Sequence, residues 1–548
     1  MEFDNDKDSL VQTFAALTLA ATDHANASGD VEKNQIATKL NELLFEIQTM
    51  LTRCSSAVIS HAFTPNICDS WCLQMSRMSV TSGQFDLTRD IIKTCLASIK
   101  PEIFFGQYTP GLTARLVDSK TTPEVKEFLL KEILQFIERT DIETISQLTN
   151  NTECQNLLTA VTGCLSDSLT SVSEAATKCL SALCRRQPVG VSTLFSCQPT
   201  VDRLRSMLTA SEIVRFRLYE LVGIVCILDV SSLKICADLG FVDALLKEID
   251  SDDILCKLNA MELLTEMAAP KTGTNHCLQY FRDHGVLEKL NGMLLHAQSA
   301  PDATFLFPAV VKFFGNLSRL YPVECCEGFP LFLSAVFDLV INYNRLEVGQ
   351  RLLAFDTLGL IGSTPDGKRV LGKHDETMRK CLFCFGNSFK QGPIELRVRH
   401  IEAFGSLLEL QASDQTDELL ALTERWFSWL EHSGRKDDAC KLFFDLFRQP
   451  FPEVHLVAGQ VFKKMAVQPW GRKLMAEQAG FLEYLLNRTT ESTMEGRYIK
   501  YEIVKCLVDS PSIEDGFDAP DVLRLKGYVQ EGPFYVQAKA PDVAFEEA

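Results

Sequence analysis

The pair Cys381-Leu382-Phe383-Cys384, with His374 seven residues upstream, is the nearest this chain comes to a metal or redox motif. A C-x-x-C can run thiol–disulfide exchange, or supply half of a tetrahedral zinc site that needs two further thiolates or imidazoles. No second pair stands at a matching spacing, so Cys381 and Cys384 read as apolar positions of an amphipathic helix. The same reading covers Cys68 with Cys72 and the adjacent Cys325 and Cys326. The nine histidines form no H-E-x-x-H arrangement. A phosphate-cradling G-x-x-x-x-G-K-[ST] loop, a G-x-G-x-x-G turn and a G-x-S-x-G elbow are all absent. Asp366-Gly367-Lys368-Arg369 is expected to be a turn between helices. No catalytic residue, cofactor or metal ligand is expected, and the chain is read as a non-enzyme.

The totals narrow the partners. With 54 Lys and Arg against 72 Asp and Glu, the formal charge over 548 residues is −18, which disfavours broad nucleic-acid or anionic-lipid binding. The N-terminus, Met1-Glu2-Phe3-Asp4, is acidic where a signal peptide is basic and then apolar. The run Leu221 to Leu228, between Glu220 and Asp229, is far shorter than the ~20 residues of a membrane span. The 19 cysteines are therefore expected to be reduced core residues of a cytoplasmic protein, with the nucleus a second permitted compartment.

What must position any site is a repeat. In Lys257 to Met267, counting from Ala260, apolar residues fall at +3 (Leu263), +4 (Leu264) and +7 (Met267), one stripe of an amphipathic helix. The register returns at Leu40, Ile92, Leu130, Ala176, Leu218, Val310, Ala354, Ala403, Ala458 and Lys500. These eleven anchors lie about 40–55 residues apart, near the period of HEAT and armadillo repeats. Position −3 played no part in choosing them, yet it holds Arg89, Arg215, Lys257, Arg351, His400, His455 and Arg497. Composition alone would place about one basic residue there. Gly240, Gly285 and Gly480, each followed by an apolar pair and then Leu, mark junctions where one helix ends and the next begins. The expectation is an all-α HEAT/armadillo-like α-solenoid of about eleven helix-pair repeats. It would fill residues 31–510, after a weakly patterned segment 1–30 in which Val11 to Ala21 could be helical, and before a short helix and partly mobile tail in 511–548.

Solenoids bind along their faces. The −3 bases are expected to be a structural ladder, paired with neighbouring acids or helix ends. Arg397 and Arg399, an extra basic pair beside His400, stand out as candidate partner-binding residues. Trp426 and Trp429, flanking Phe427, suit either core or interface anchor. The Phe305, Phe307, Phe313, Phe314, Phe329 and Phe332 stretch reads as core.

The C-terminal part carries a resemblance. Gln468-Pro469-Trp470-Gly471-Arg472-Lys473-Leu474-Met475 leads into Gly480-Phe481-Leu482-Glu483-Tyr484, then Lys500-Tyr501-Glu502-Ile503-Val504-Lys505 and Glu531-Gly532-Pro533-Phe534-Tyr535-Val536. These about one hundred residues resemble the proteasome non-ATPase regulatory subunit 5 family. The resemblance implies a HEAT-like assembly chaperone without enzymatic activity. It would be monomeric when free and bind the C-terminal domain of a proteasomal AAA ATPase, with other base precursor subunits, through its concave face. It would then leave before the mature regulatory particle forms. A HEAT/armadillo scaffold or transport adaptor for another protein is the alternative.

Overall fold

The computed structural model describes residues 2–26, 30–148, 151–269, 275–296, 303–491, 493–511 and 513–535. Helices and turns account for all regular structure among them, with no β-strand. Each anchor lies in a helix of its own: α1 (Asp30–Leu51), α2 (Gly83–Ala97), α3 (Pro123–Arg139), α4 (Thr170–Cys184), α5 (Glu212–Cys226), α6 (Ile254–Ala268), α7 (Ala303–Ser318), α8 (Val348–Ile361), α9 (Ile394–Leu408), α10 (Pro452–Ala466) and α11 (Met494–Val508). The anchor residue is buried in all eleven helices, and so is position +7. The fold is an all-α solenoid of the HEAT/armadillo kind.

The repeat holds one helix more than the expected pair. Between most successive anchor helices the chain forms two further segments, such as Val230–Asp238 and Phe241–Lys247 between α5 and α6, whereas one continuous helical stretch, Pro101 to Val117, joins α2 to α3. Gly240 separates that pair at φ 82°, and Gly480 (φ 75°) separates Pro469–Glu477 from Phe481–Leu486. A left-handed residue ends one helix and re-aims the chain, and glycine reaches that conformation without Cβ strain. The junctions are visible in the sequence, and only the count of helices per repeat differs from the expected pair.

The contacts divide the chain into two compact units, Met1–Tyr280 and Phe281–Ala548. In the first, α1 to α6 pack each on the next. The helix Glu2–Asn26 covers α1 and extends well beyond the expected Val11–Ala21. Leu10, Phe14, Leu17 and Ala21 form its buried stripe, and Trp71 Nε1 donates to Thr18 Oγ1 at 3.0 Å. In the second unit α7 to α11 pack in the same serial way, and helix Ala519–Glu531 closes on α11. Residues 536–548, part of the tail expected to be mobile, lie outside the described residues.

Several prolines stand at helix entrances, where no amide hydrogen is needed: Pro101, Pro322 and Pro365 occupy the first turns of their helices, while Pro308 lies inside α7. Pro270 and Pro301 fall outside the described residues. Acids open most of the anchor helices, Glu212, Glu395 and Glu453 among them. Asp253 caps α6 through the Leu255 amide, and Glu347 forms a capping box with Gln350 on α8.

Candidate functional site

The basic ladder is structural, but its main partner is nearer than the neighbouring repeat's acid. Arg351 Nε donates to Leu346 O (2.8 Å), Arg497 Nε to Glu491 O (3.2 Å) and Arg215 Nη1 to Ala210 O (3.3 Å). Each clamps the backbone that leads into its own helix. Arg215 also meets an acid, Glu248, at 3.0 Å, and Arg89 pairs with Asp86 of its own helix at 2.8 Å. His400 lies buried against Phe355, ring centroids 4.0 Å apart, and desolvation lowers its pKa to about 4. It is a neutral core ring at physiological pH. Lys257 makes no ion pair among the described residues.

The four candidate binding residues occupy different environments. Arg397 is buried, donating from Nε to Phe389 O at 2.7 Å and from Nη2 to Gln449 Oε1 at 2.9 Å. Arg399 sits on the exposed side of α9, 2.7 Å from Asp356 of α8 and 3.6 Å from Glu402. Trp426 is fully buried, whereas Trp429 is half-buried with the Arg425 guanidinium 5.5 Å from its ring centroid. No hydrogen bond, ion pair or ring contact joins any of the four to another. The two charge reversals therefore separate. Arg397→Glu buries an uncompensated carboxylate and is expected to cost about 3 kcal/mol or more. Arg399→Glu loses exposed pairs worth about 1 kcal/mol at most. Thermal melts of the two variants check this, and binding assays are informative only at Arg399.

The thiols carry no nucleophile at the positions that can be judged. Burial pushes Cys154, Cys164 and Cys384 up to about 11, and Cys277, Cys325, Cys326 and Cys440 up to about 12. They stay protonated at neutral pH. Cys384 Sγ donates to Ile341 O at 3.8 Å, and the His374 ring packs on Phe337, so Cys381, Cys384 and His374 do not converge on a common point. Among the described residues one trio does converge, Glu212, Asp253 and Cys256. The Arg215 guanidinium, 4.0 Å from Cys256 Sγ, already supplies the positive charge there.

Two of the stretches that carry the family resemblance, around Gln468 and around Lys500, are internal stitching, whereas Phe534 and Tyr535 are exposed. Gln468 is fully buried; its Nε2 donates to Leu408 O (2.8 Å) and its Oε1 accepts from Thr423 Oγ1 (2.7 Å) and Trp470 Nε1 (2.9 Å). Arg472 caps the end of α10 through Ala466 O and Val467 O. Lys500, the one charged anchor, is fully buried: Nζ lies 3.0 Å from Glu491 Oε1 and 2.7 Å from Tyr484 O. Glu491 Oε2 lies 3.2 Å from His455 Nε2. Desolvation raises the Glu491 pKa, yet His455 and Lys500 together hold it below the ordinary carboxylate range.

An open surface of a different character runs over the first unit. A groove crosses α3, α4 and α5, with a cavity volume of about 720 Å³, and continues between α5 and α6 with about 440 Å³. Phe216, Glu220 and Ile224 belong to both parts. Half-buried Phe216, Ile224 and Leu263 form the floor, and the exposed Glu174, Glu220, Glu262 and Glu266 stand along it. Desolvation between the helices raises the Glu220 pKa, and Glu266 and Glu174 add to the rise while Arg217 opposes it. The sequence reading missed these acids. For Glu220 and Glu262 the available signal was position +2 from the anchor, acidic in Glu42, Glu132, Glu220, Glu262, Asp356 and Glu502, where composition predicts between one and two; Glu174 and Glu266 stand elsewhere in the register.

Stacked helical repeats with a partly apolar groove define a helical-repeat protein. A sequence profile described as proteasome non-ATPase 26S subunit matches residues 23–548. The human 26S proteasome non-ATPase regulatory subunit 5 is 36% identical over 414 residues, spanning 75% of this chain and 78% of its own. The bovine subunit of the same name is 35% identical over the same shares, and the Drosophila melanogaster one 29% identical over 63% of this chain and 64% of its own. An engineered protein of known crystal structure covers 78% of this chain and 98% of its own at 14% identity and a TM-score of 0.39. The chain belongs to the proteasome non-ATPase 26S subunit family.

Proposed function

We propose that this chain is an assembly chaperone of the 26S proteasome regulatory-particle base. In this reading it holds the C-terminal domain of one AAA ATPase against the face formed by its anchor helices, and leaves before the mature particle forms. The observation that carries the reading is family membership along nearly the whole chain, joined to a surface suited to holding a polypeptide. The relatives are named as non-ATPase regulatory subunits, and we extend that to this chain as a binding protein without catalysis of its own. Exposed Arg399 and half-buried Trp429 are proposed as secondary contact positions. The proposed site of action is the cytoplasm, with the nucleus included.

Affinity purification of the tagged chain from cells tests this reading. Base precursors containing ATPase subunits are expected to co-purify, and fully assembled particles are not. Stoichiometric recovery in the mature particle would overturn the chaperone role. Recovery of unrelated cargo with no ATPase subunit would favour the adaptor alternative.

A further inference from the structure

One acid at position +2 differs from its counterparts in the second unit. In the second unit each has a cation on the adjacent anchor helix: Asp356 of α8 meets Arg399 of α9 at 2.7 Å, and Glu502 of α11 meets Lys463 of α10 at 2.8 Å. In the first unit Glu220 of α5 has no such partner. Across the groove stands another acid, Glu266 of α6, and on the other side Glu174 of α4. None of these three makes an ion pair among the described residues. Lys178 and Arg185 line the α4 side of the groove, and Arg217 of α5 is engaged elsewhere: its Nη1 donates to Leu165 O (3.0 Å) and Asp167 O (2.6 Å). Among the described residues, the part of the groove between α5 and α6 contains Glu220, Glu262 and Glu266 and no Lys, Arg or His.

Two further observations mark this as a receptor and not only a solvated acidic face. The acids stand over an apolar floor, Phe216, Ile224 and Leu263, that remains half-buried with nothing packed on it from the partner side. In the same groove Ser181 Oγ of α4 is buried, the residue only 3% exposed, and has no hydrogen-bond partner. A buried hydroxyl left unpaired is unfavourable until a donor or acceptor reaches it.

We propose that this groove receives a cationic polypeptide segment of the partner protein, one that sets Lys or Arg against Glu220, Glu266 and Glu174 and apolar side chains on Phe216, Ile224 and Leu263. The inference deepens the chaperone reading and rests on it only for the partner's identity. Four helices at ~10 Å separations span roughly 30 Å, the length of about nine extended residues. A cation every third residue then meets about one acidic helix in turn. Such a contact supplies the charge that the second unit supplies for itself, and it desolvates the carboxylates in a way that favours an opposite charge.

The test uses the full chain and a fluorescein-labelled nonapeptide, Arg-Leu-Ala repeated three times, read by fluorescence polarisation at two salt concentrations. Binding is expected, weakening with salt, and roughly tenfold weaker in Glu220→Gln/Glu266→Gln. The control Glu102→Gln/Glu143→Gln removes the same charge at exposed sites outside the groove and is expected to bind as wild type. Circular dichroism melts confirm that all three proteins fold. Equal affinity in the groove variant and wild type, or equal loss in the control, would overturn the proposal. A parallel pull-down with ATPase C-terminal domains separates the two readings. Failure to capture any such domain defeats the chaperone assignment while the peptide result stands.

Discussion

Lys500→Leu is expected to destabilise the second unit by about 3–5 kcal/mol, although the repeat register places an apolar residue at this position. Every other anchor is apolar and buried, and Lys500 is equally buried. Its ammonium is satisfied by Glu491 Oε1, by Tyr484 O, by Asn487 O at 3.3 Å and by Thr490 Oγ1 at 2.5 Å, with the Tyr484 ring 3.8 Å away. Removing it leaves Glu491, itself only 8% exposed, without its nearest cation. The cost is that of an orphaned buried charge, not of lost packing. The double variant Lys500→Leu/Glu491→Leu is therefore expected to recover much of the loss, which gives the cycle its sign. Because the folded-state pKa of Glu491 lies below its ordinary value, its contribution is present at neutral pH and is lost as the pH falls through the carboxylate range. Long repeat arrays unfold in segments, so the readout is hydrogen exchange in α10, α11 and Ala519–Glu531, with unfolding midpoints as a supplement. Unchanged protection in the single variant would refute the lock.

Gly367→Ala is expected to cost about 3 kcal/mol or more, out of proportion to a single methyl group. Gly367 begins the helix Pro365–Gly372 directly after α8, and a Cβ there would fall inside the contact radius of the Ile361 carbonyl oxygen. Gly190 stands in the same relation to Leu183 O of α4, and Gly471 to Met465 O of α10. In each case the helix after an anchor helix crosses its end so closely that backbone meets backbone, and a backbone carbonyl cannot rotate away as a flexible side chain would. The following residue uses that proximity. Lys368 is fully buried with its ammonium on Gly362 O and Ser406 O, at 2.5 and 3.4 Å, joining the ends of α8 and α9. Arg472 does the same work at the end of α10. Gly292, by contrast, has open space where its Cβ would be, so Gly292→Ala is expected to be neutral or mildly stabilising. Chemical denaturation of the two alanine variants checks the contrast, and equal effects would refute it.

Asp366-Gly367-Lys368-Arg369 and Gln468-Pro469-Trp470-Gly471-Arg472 thus turn out to be two copies of one junction. As sequence, one looked like an ordinary turn and the other like a family signature. Their shared need for glycine follows from a crossing distance, and a crossing distance is not written in the spacing of residues. Arg397 and Arg399 teach the same lesson. Two residues apart on a helix, they face about 200° apart, so one lies in the core and the other in solvent. Their identity as a basic pair gave no indication of which.

The all-α class, the register of the eleven anchor helices and the glycine junctions were legible in the chain itself, because burying one stripe of a 3.6-residue helix forces apolar residues to recur at 0, +4 and +7. Those local regularities need no knowledge of neighbours. What the tertiary structure decided was pairing. Glu491 is drawn to Lys500 and His455 from a loop with no place in the register, and Asp356 and Glu502 find cations that sit at different register positions, Arg399 four before one anchor and Lys463 five after another. Glu220 finds none. Whether a charge on a repeat is neutralised at home or left for a partner depends on which side chains the stacking brings within a few ångströms, and Coulomb energy follows that distance, not the distance along the chain.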